Sequence, residues 1–247
     1  MRSPRVLATL PPAVLATVLL GALAGSVAPA RTSAETGRAP EEFVALRTVA
    51  PEIQQDIRYA GGHNFVGEPI DGYREGECLL VEAAARALAR AQRALARDDL
   101  GLRVFDCYRP QRAVDHFLDW AADPDATEGE AEFYPRVPKD QLFDEGYLAE
   151  RSGHSRGGTV DLTLVDADGH AVDMGTGFDF FDPASHPDST EPDPAQRRAR
   201  ERLRAALTEQ GFTPIDTEWW HFGFADEPFP DEHFDFPVDR SVLRDGD

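Results

Sequence analysis

Apolar residues recur at helical spacing over residues 79–96, where LLVEAAARALARAQRALA puts Leu80, Ala84, Leu88 and Leu95 on one face. The stretch is also rich in strong helix formers, so a helix is predicted there. Residues 102–105 form a short apolar run that predicts a strand. Beyond Tyr108 and Arg109, Pro110 can occupy the first turn of a second helix ending near Ala122. Arg109 therefore sits at a strand-to-helix junction. Residues 123–150 mix Pro, Asp, Gly and scattered aromatics without a period, which predicts long irregular structure with one short helix. Residues 159–165 alternate and are rich in branched side chains, and residues 219–224 are aromatic; both read as strands. Residues 194–210 have a helical pattern, and Gly211 is a suitable stop.

Strands interleaved with helices, and no internal repeat, predict one α+β domain: a small mixed or antiparallel sheet with helices packed on it. A chain of 247 residues suits one such domain with its own core. The domain should occupy residues 42–247, because residues 31–41 (RTSAETGRAPE) are polar and aperiodic and read as a flexible leader. Residues 1–30 stand apart. Arg2 and Arg5 precede an apolar run from Val6 to Leu23, followed by Ala28-Pro29-Ala30, the layout of a cleavable signal peptide. A retained membrane anchor is the alternative. Pro11, Pro12 and the small-x-small pattern weigh against it, so no stable membrane insertion is expected after cleavage.

The formal charge is −20, and losing Arg2 and Arg5 takes it to about −22. So acidic a surface repels nucleic acid and anionic membranes, and no basic, aromatic-interleaved stretch offsets it; no nucleic-acid partner is expected. Cys78 and Cys107 are the two cysteines. In an exported chain a lone pair predicts a structural disulfide, and it cannot by itself close a Cys-rich zinc site.

Any metal must therefore find other ligands, and two segments supply them. SGHSRGGTVD carries His154 and Asp161, and EWWH carries Glu218 and His221. Two imidazoles, one carboxylate and an open fourth position are what catalytic zinc requires, and they favour zinc over magnesium or calcium. Glu218 would serve as general base. Glu218 precedes His221 by three positions, so on a regular strand the two side chains would face opposite ways. A turn or bulge is therefore predicted between them. Arg109 would add fixed positive charge beside a developing oxyanion. Asp106 either orients Arg109 or caps the following turn, and Arg156 braces the Gly157-Gly158 loop. His63, His116, His170, His186 and His233 lie in polar or loop contexts and read as surface or hydrogen-bonding residues.

The chain resembles the D-alanyl-D-alanine dipeptidases of the vancomycin-resistance type. The resemblance runs from about Asp56 to Val238 and is carried by IRYAGGHNFVG, DCYRPQRAV, SGHSRGGTVDLTL, MGTGFDFFD, EWWHF and FDFPV. It implies one zinc ion per chain on His154, Asp161 and His221, Glu218 as catalytic base and Arg109 as transition-state stabiliser. It also implies that Tyr59, Ser152 and Asp179 surround a small D,D-dipeptide, with Asp179 receiving its ammonium group. Dipeptidases of the resistance type act in the cytoplasm, whereas residues 1–30 predict a secreted or cell-envelope enzyme that acts in wall-peptide turnover. The alternatives are a D,D-carboxypeptidase trimming wall peptides and a non-catalytic wall-binding module that keeps its zinc site. The oligomeric state is not legible.

Overall fold

The computed structural model describes residues 37–244. The expected signal peptide and most of the leader fall outside these residues. In chain order the elements are β1 (Phe43–Ala45), α1 (Leu46–Val49), β2 (Gln54–Gln55), β3 (Leu79–Val81), α2 (Glu82–Leu95), β4 (Gly101–Asp106), α3 (Gln111–Ala122), α4 (Glu130–Phe133), β5 (Thr159–Val165), α5 (Pro194–Thr208), β6 (Phe212–Pro214) and β7 (His221–Phe224). Five strands make a mixed sheet in the order β2-β4-β5-β7-β6; β2 runs parallel to β4, and every other pairing is antiparallel. β1 and β3 pair separately as an antiparallel ribbon. The α+β expectation holds. Among the described residues no helix is long and apolar enough to cross a membrane.

Central strand β5 is buried at every position, and α5 packs on it. That explains why its polar members need partners. Helix α5 starts where its sequence says it should: the Asp193 side chain accepts from the Ala195 and Gln196 amides, and Gln196 Oε1 accepts from the Asp193 amide. Gly211, with φ at 90°, ends the connection into β6.

The structure corrects the sequence reading at three element ends. Residues 79–81, expected in the first turn of a helix, form β3, and α2 begins only at Glu82. Leu79, Leu80 and Val81 are all buried, and pairing with β1 takes up their backbone groups there. Residues 219 and 220 are likewise not in a strand, since β7 starts at His221 and Glu218 to Trp220 make a turn. The predicted irregularity falls there. Pro110 is the residue before α3 rather than its first helical one.

Cys78 and Cys107 form the expected disulfide, joining the start of β3 to the end of β4 across 29 residues of sequence. Closing a loop of that length removes denatured-state entropy worth about 3–4 kcal/mol. Reduction should accordingly lower the urea midpoint by that much stability. Unchanged unfolding curves with and without a strong thiol would contradict this.

Candidate active site

Sheet register assembles the centre of the site. Asp106 on β4, Asp161 on β5 and His221 on β7 lie side by side in one row across three strands. A register shift between Val104 and Asp106 marks a bulge in β4, which re-aims the chain where it leaves the sheet toward Arg109. His154 comes from a single 3₁₀ turn, Gly153–Arg156, whose first amides are met by Ser152 Oγ accepting from the His154 N–H at 3.2 Å. That turn ends on Gly157 at φ 80°. A Cβ there would lie 2.3 Å from the Phe43 ring, so glycine is required both for its backbone and for space. Arg156, expected to brace this loop, donates to Glu227 Oε1 at 2.8 Å.

His154 Nε2, His221 Nδ1 and a carboxylate oxygen of Asp161 converge. The separations are 3.3 Å between the two nitrogens, 3.3 Å from His154 Nε2 to Asp161 Oδ2 and 3.1 Å from His221 Nδ1 to Asp161 Oδ1. A tetrahedron with metal–ligand bonds of about 2.0–2.1 Å has edges of about 3.3–3.4 Å, close to the spacing of the two nitrogens and of each nitrogen from its nearer carboxylate oxygen, and one ligand atom from each residue lies within 4.8 Å of the others. The trio's hydrogen bonding points the same way. His154 Nδ1 donates to the Cys107 carbonyl at 2.7 Å, which leaves Nε2 as a bare acceptor facing a carboxylate. Asp161 Oδ1 is buried without a hydrogen bond in this arrangement. Acceptors gathered in this way need a cation.

Electrostatics separate the carboxylates. Burial alone would raise the Asp161 pKa, but His154 and then His221 pull it well below the ordinary carboxylate range. Burial, followed by repulsion from Asp161 and Asp179, pushes Glu218 well up. Burial and the Asp161 charge likewise push Asp179 up. His221 is shifted down, first by burial, toward the neutral form that binds metals. Glu218 sits beside the trio, its Oε2 at 3.6 Å from His221 Nδ1. The turn at residues 218–220 is what brings both side chains into the same space.

Arg109 is held rigidly. Its Nε donates to Asp106 Oδ2 at 2.9 Å, its Nη2 lies 2.9 Å from the same oxygen, and Tyr73 Oη donates to Asp106 Oδ1 at 2.6 Å. Asp106 thus orients Arg109, which decides between the two roles that were open for it. Sequence reasoning missed Tyr73, since nothing local links it to a strand 33 residues on. The guanidinium stacks over Tyr59 and Phe117, with its Nη2 at 3.7 Å from Asp161 Oδ2. Tyr59 Oη donates to Asp179 Oδ2 at 2.9 Å, and Asp179 adopts a left-handed backbone at φ 58°.

Tyr59, Arg109, Ser152, His154, Asp161, Asp179, Glu218 and His221 all line one cavity of about 200 Å³. Sites for drug-sized ligands run to roughly 300–1,000 Å³, so this one suits a very small molecule. Tyr147, Leu148 and Phe181 are among the other residues of its wall. They escaped the sequence reading, although the long aperiodic stretch of residues 123–150 was the available signal for Tyr147 and Leu148. The five remaining histidines lie outside the cavity lining. His63 and His116 meet Glu132 and Glu68, and His186 meets the Tyr147 hydroxyl. His170 joins Asp166 and Asp168 in a second, exposed group, whose closeness a tight turn explains: the Asp168 and His170 amides both donate to Asp166 Oδ1.

Residues 39–239 match the peptidase family described as D-ala-D-ala dipeptidase. A D-alanyl-D-alanine dipeptidase of Streptomyces coelicolor is 41% identical over 198 residues, 80% of this chain and 98% of the relative. Proteins of the same name from Enterococcus faecium and Enterococcus faecalis are 38% and 40% identical, each match spanning 79% of this chain and 98% of the relative. With a site built for a metal and a match that covers the folded chain, the protein belongs to this D-ala-D-ala dipeptidase family of metal-dependent peptidases.

Proposed function

We propose that the chain is a zinc-dependent dipeptidase hydrolysing D-alanyl-D-alanine or a closely related D,D-dipeptide, with His154, Asp161 and His221 as the ligands of one zinc ion. The observation that carries this reading is the cavity itself, where Asp179 and Glu218 lie in the same small space as the three ligands. Asp179, hydrogen-bonded by Tyr59, would receive the substrate's ammonium group. An ion pair of this kind, shielded from water, needs a close partner, which a substrate with a blocked amine cannot supply. The amide carbonyl would then lie beside Arg109.

Zinc, when bound, polarises the scissile carbonyl and lowers the pKa of a water toward roughly 7. Glu218 takes a proton from the attacking water as its oxygen bonds to the carbonyl carbon. Negative charge gathers on the carbonyl oxygen, and Arg109, already fixed by Asp106, meets it without reorganising. Such a donor is worth roughly 3 kcal/mol in related cases. Glu218 then returns the proton to the amide nitrogen as the C–N bond breaks, releasing two amino acids. Ser152 is occupied as the cap of the His154 turn, so its contribution to substrate binding would come through its place in the cavity wall.

Comparing free D-alanyl-D-alanine with its N-acetyl form tests the reading. Free dipeptide should have the higher kcat/KM. Preference for the acetylated form would replace this reading with that of a carboxypeptidase acting on longer wall peptides.

We also infer that the enzyme is exported and serves wall-peptide turnover. Arg2, Arg5, the apolar run and Ala28-Pro29-Ala30 support this, and an oxidising compartment would preserve the Cys78–Cys107 disulfide. A mature protein outside the cytoplasm beginning just after Ala30 is expected; a full-length cytosolic form alone would contradict it.

A further inference from the structure

Arg200, on α5, is a buried cation with no carboxylate partner among the described residues: it is 3% exposed, and burial pushes its pKa down to about 10. Its guanidinium is spent on oxygens of a single segment, residues 174–186. Nε donates to the Met174 carbonyl at 2.7 Å, and Nη2 donates to Thr176 Oγ1 at 3.2 Å. From the other end of the segment, the Ala184 and His186 carbonyls accept from Nη1 at 2.9 and 3.1 Å. One side chain therefore closes the segment at both ends.

Between those ends lies Asp179. Its neighbours are anchored by aromatic packing: Phe178 stacks on Phe105 at 4.8 Å, and Phe181 meets Phe65 at 5.1 Å. The left-handed backbone at Asp179 is uncommon for a residue other than glycine, so the surrounding structure must hold it. The segment is also tied to the turn bearing Glu218, because Trp219 Nε1 donates to Thr176 Oγ1 at 2.9 Å and the Trp219 amide donates to the Ser185 carbonyl at 3.0 Å. Thr176 Oγ1 thus accepts from both Arg200 and Trp219, which links the clamp to the catalytic turn through one hydroxyl.

We propose that Arg200 is a positioning residue for substrate recognition: by clamping residues 174–186 at both ends, with Thr176 as the shared acceptor, it holds Asp179 where the substrate's ammonium group must bind. The inference rests on the reading of Asp179 given above. A cation suits the task because a fork of N–H donors can satisfy several carbonyls at once, whereas an apolar side chain would leave the buried carbonyls unpaired.

The test measures kcat and KM on free and N-acetylated D-alanyl-D-alanine for the zinc-loaded wild type and for Arg200→Met, Arg200→Lys and Thr176→Val. Misplacing a binding group by about 1 Å costs up to roughly a hundredfold. The Met variant should therefore raise KM for the free dipeptide about ten- to a hundredfold while kcat stays within about threefold; the Val variant, which also releases Trp219 beside Glu218, should raise KM likewise, with its loss of kcat common to both substrates. KM for the acetylated substrate should be hardly affected, so the preference for a free amine falls by the same factor, and Lys should restore part of it. Bound zinc should stay at the wild-type level. Should Arg200→Met not fold, the isosteric Thr176→Val and the cationic Arg200→Lys carry the measurement. Folded, zinc-loaded variants that keep the wild-type preference would overturn the proposal, as would equal losses on both substrates. A wild type that itself prefers the acetylated dipeptide would instead overturn the reading of Asp179.

Discussion

Exchanging Glu218 for Gln should lower kcat by about 10³–10⁴-fold while zinc content and fold are retained. A positioned acid or base contributes about 10²–10⁴, and the upper part of that range is expected because the same carboxylate would serve both proton transfers. Gln keeps the shape of the side chain but has no basic oxygen. The variant should also lose the acidic limb of the kcat/KM profile, since activity that needs ionised Glu218 falls as pH drops through its pKa. Folding should not suffer. A carboxyl group whose folded pKa lies above its unfolded value contributes stability at low pH that is lost as pH rises through the folded value, and Glu218 is such a group by burial and by repulsion from Asp161 and Asp179. Metal-free Glu218→Gln should therefore melt no lower than metal-free wild type at neutral pH. Steady-state assays, metal analysis and thermal melts check each part, and near-wild-type turnover in a zinc-loaded variant would remove Glu218 from the mechanism.

His154→Ala is expected to abolish turnover by a different route, through loss of the metal. Disturbing even the groups that hydrogen-bond to metal ligands costs roughly 10–100-fold in affinity, and removing a ligand outright should exceed that. The imidazole is buried, with its Nδ1 on the Cys107 carbonyl, so the substitution also leaves that acceptor unpaired. Helices α2 and α5 are not part of this contact, and a native-like circular dichroism spectrum is expected. Excess zinc should restore activity to chelated wild type but not to the variant. A variant that binds one zinc ion with unchanged affinity would show that the three-residue site is wrongly assigned.

Much of this architecture is legible in the side-chain pattern, and the places where it is not share a cause. Helix α5 and strand β5 declare themselves because period, cap and stop residues agree locally, from Asp193 and Gln196 to Gly211. The Leu79-Leu80-Val81 strand does not, because an apolar run that directly precedes a good helical pattern takes its structure from β1, more than thirty residues earlier. The turn at Glu218 was predictable from the chemistry required of its side chain rather than from propensity. Arg109, His154, Asp161, Glu218 and His221 could be picked out by type and spacing, and Asp179 through the family resemblance, and these converge in space; Arg151, also in the lining, went unread. What could not be read is the support around them. Tyr73 on Asp106, the Cys107 carbonyl on His154 and Arg200 on residues 174–186 are contacts between distant segments, fixed only when the sheet register and the bulge in β4 are in place.

A zinc titration of the metal-free protein, followed by turnover of free D-alanyl-D-alanine, tests the proposed function most directly. Hydrolysis should be absent without metal, rise in proportion to added zinc and level off at one equivalent per chain. Undiminished hydrolysis by the rigorously metal-free protein, or no hydrolysis of the dipeptide once one equivalent is bound, would contradict it.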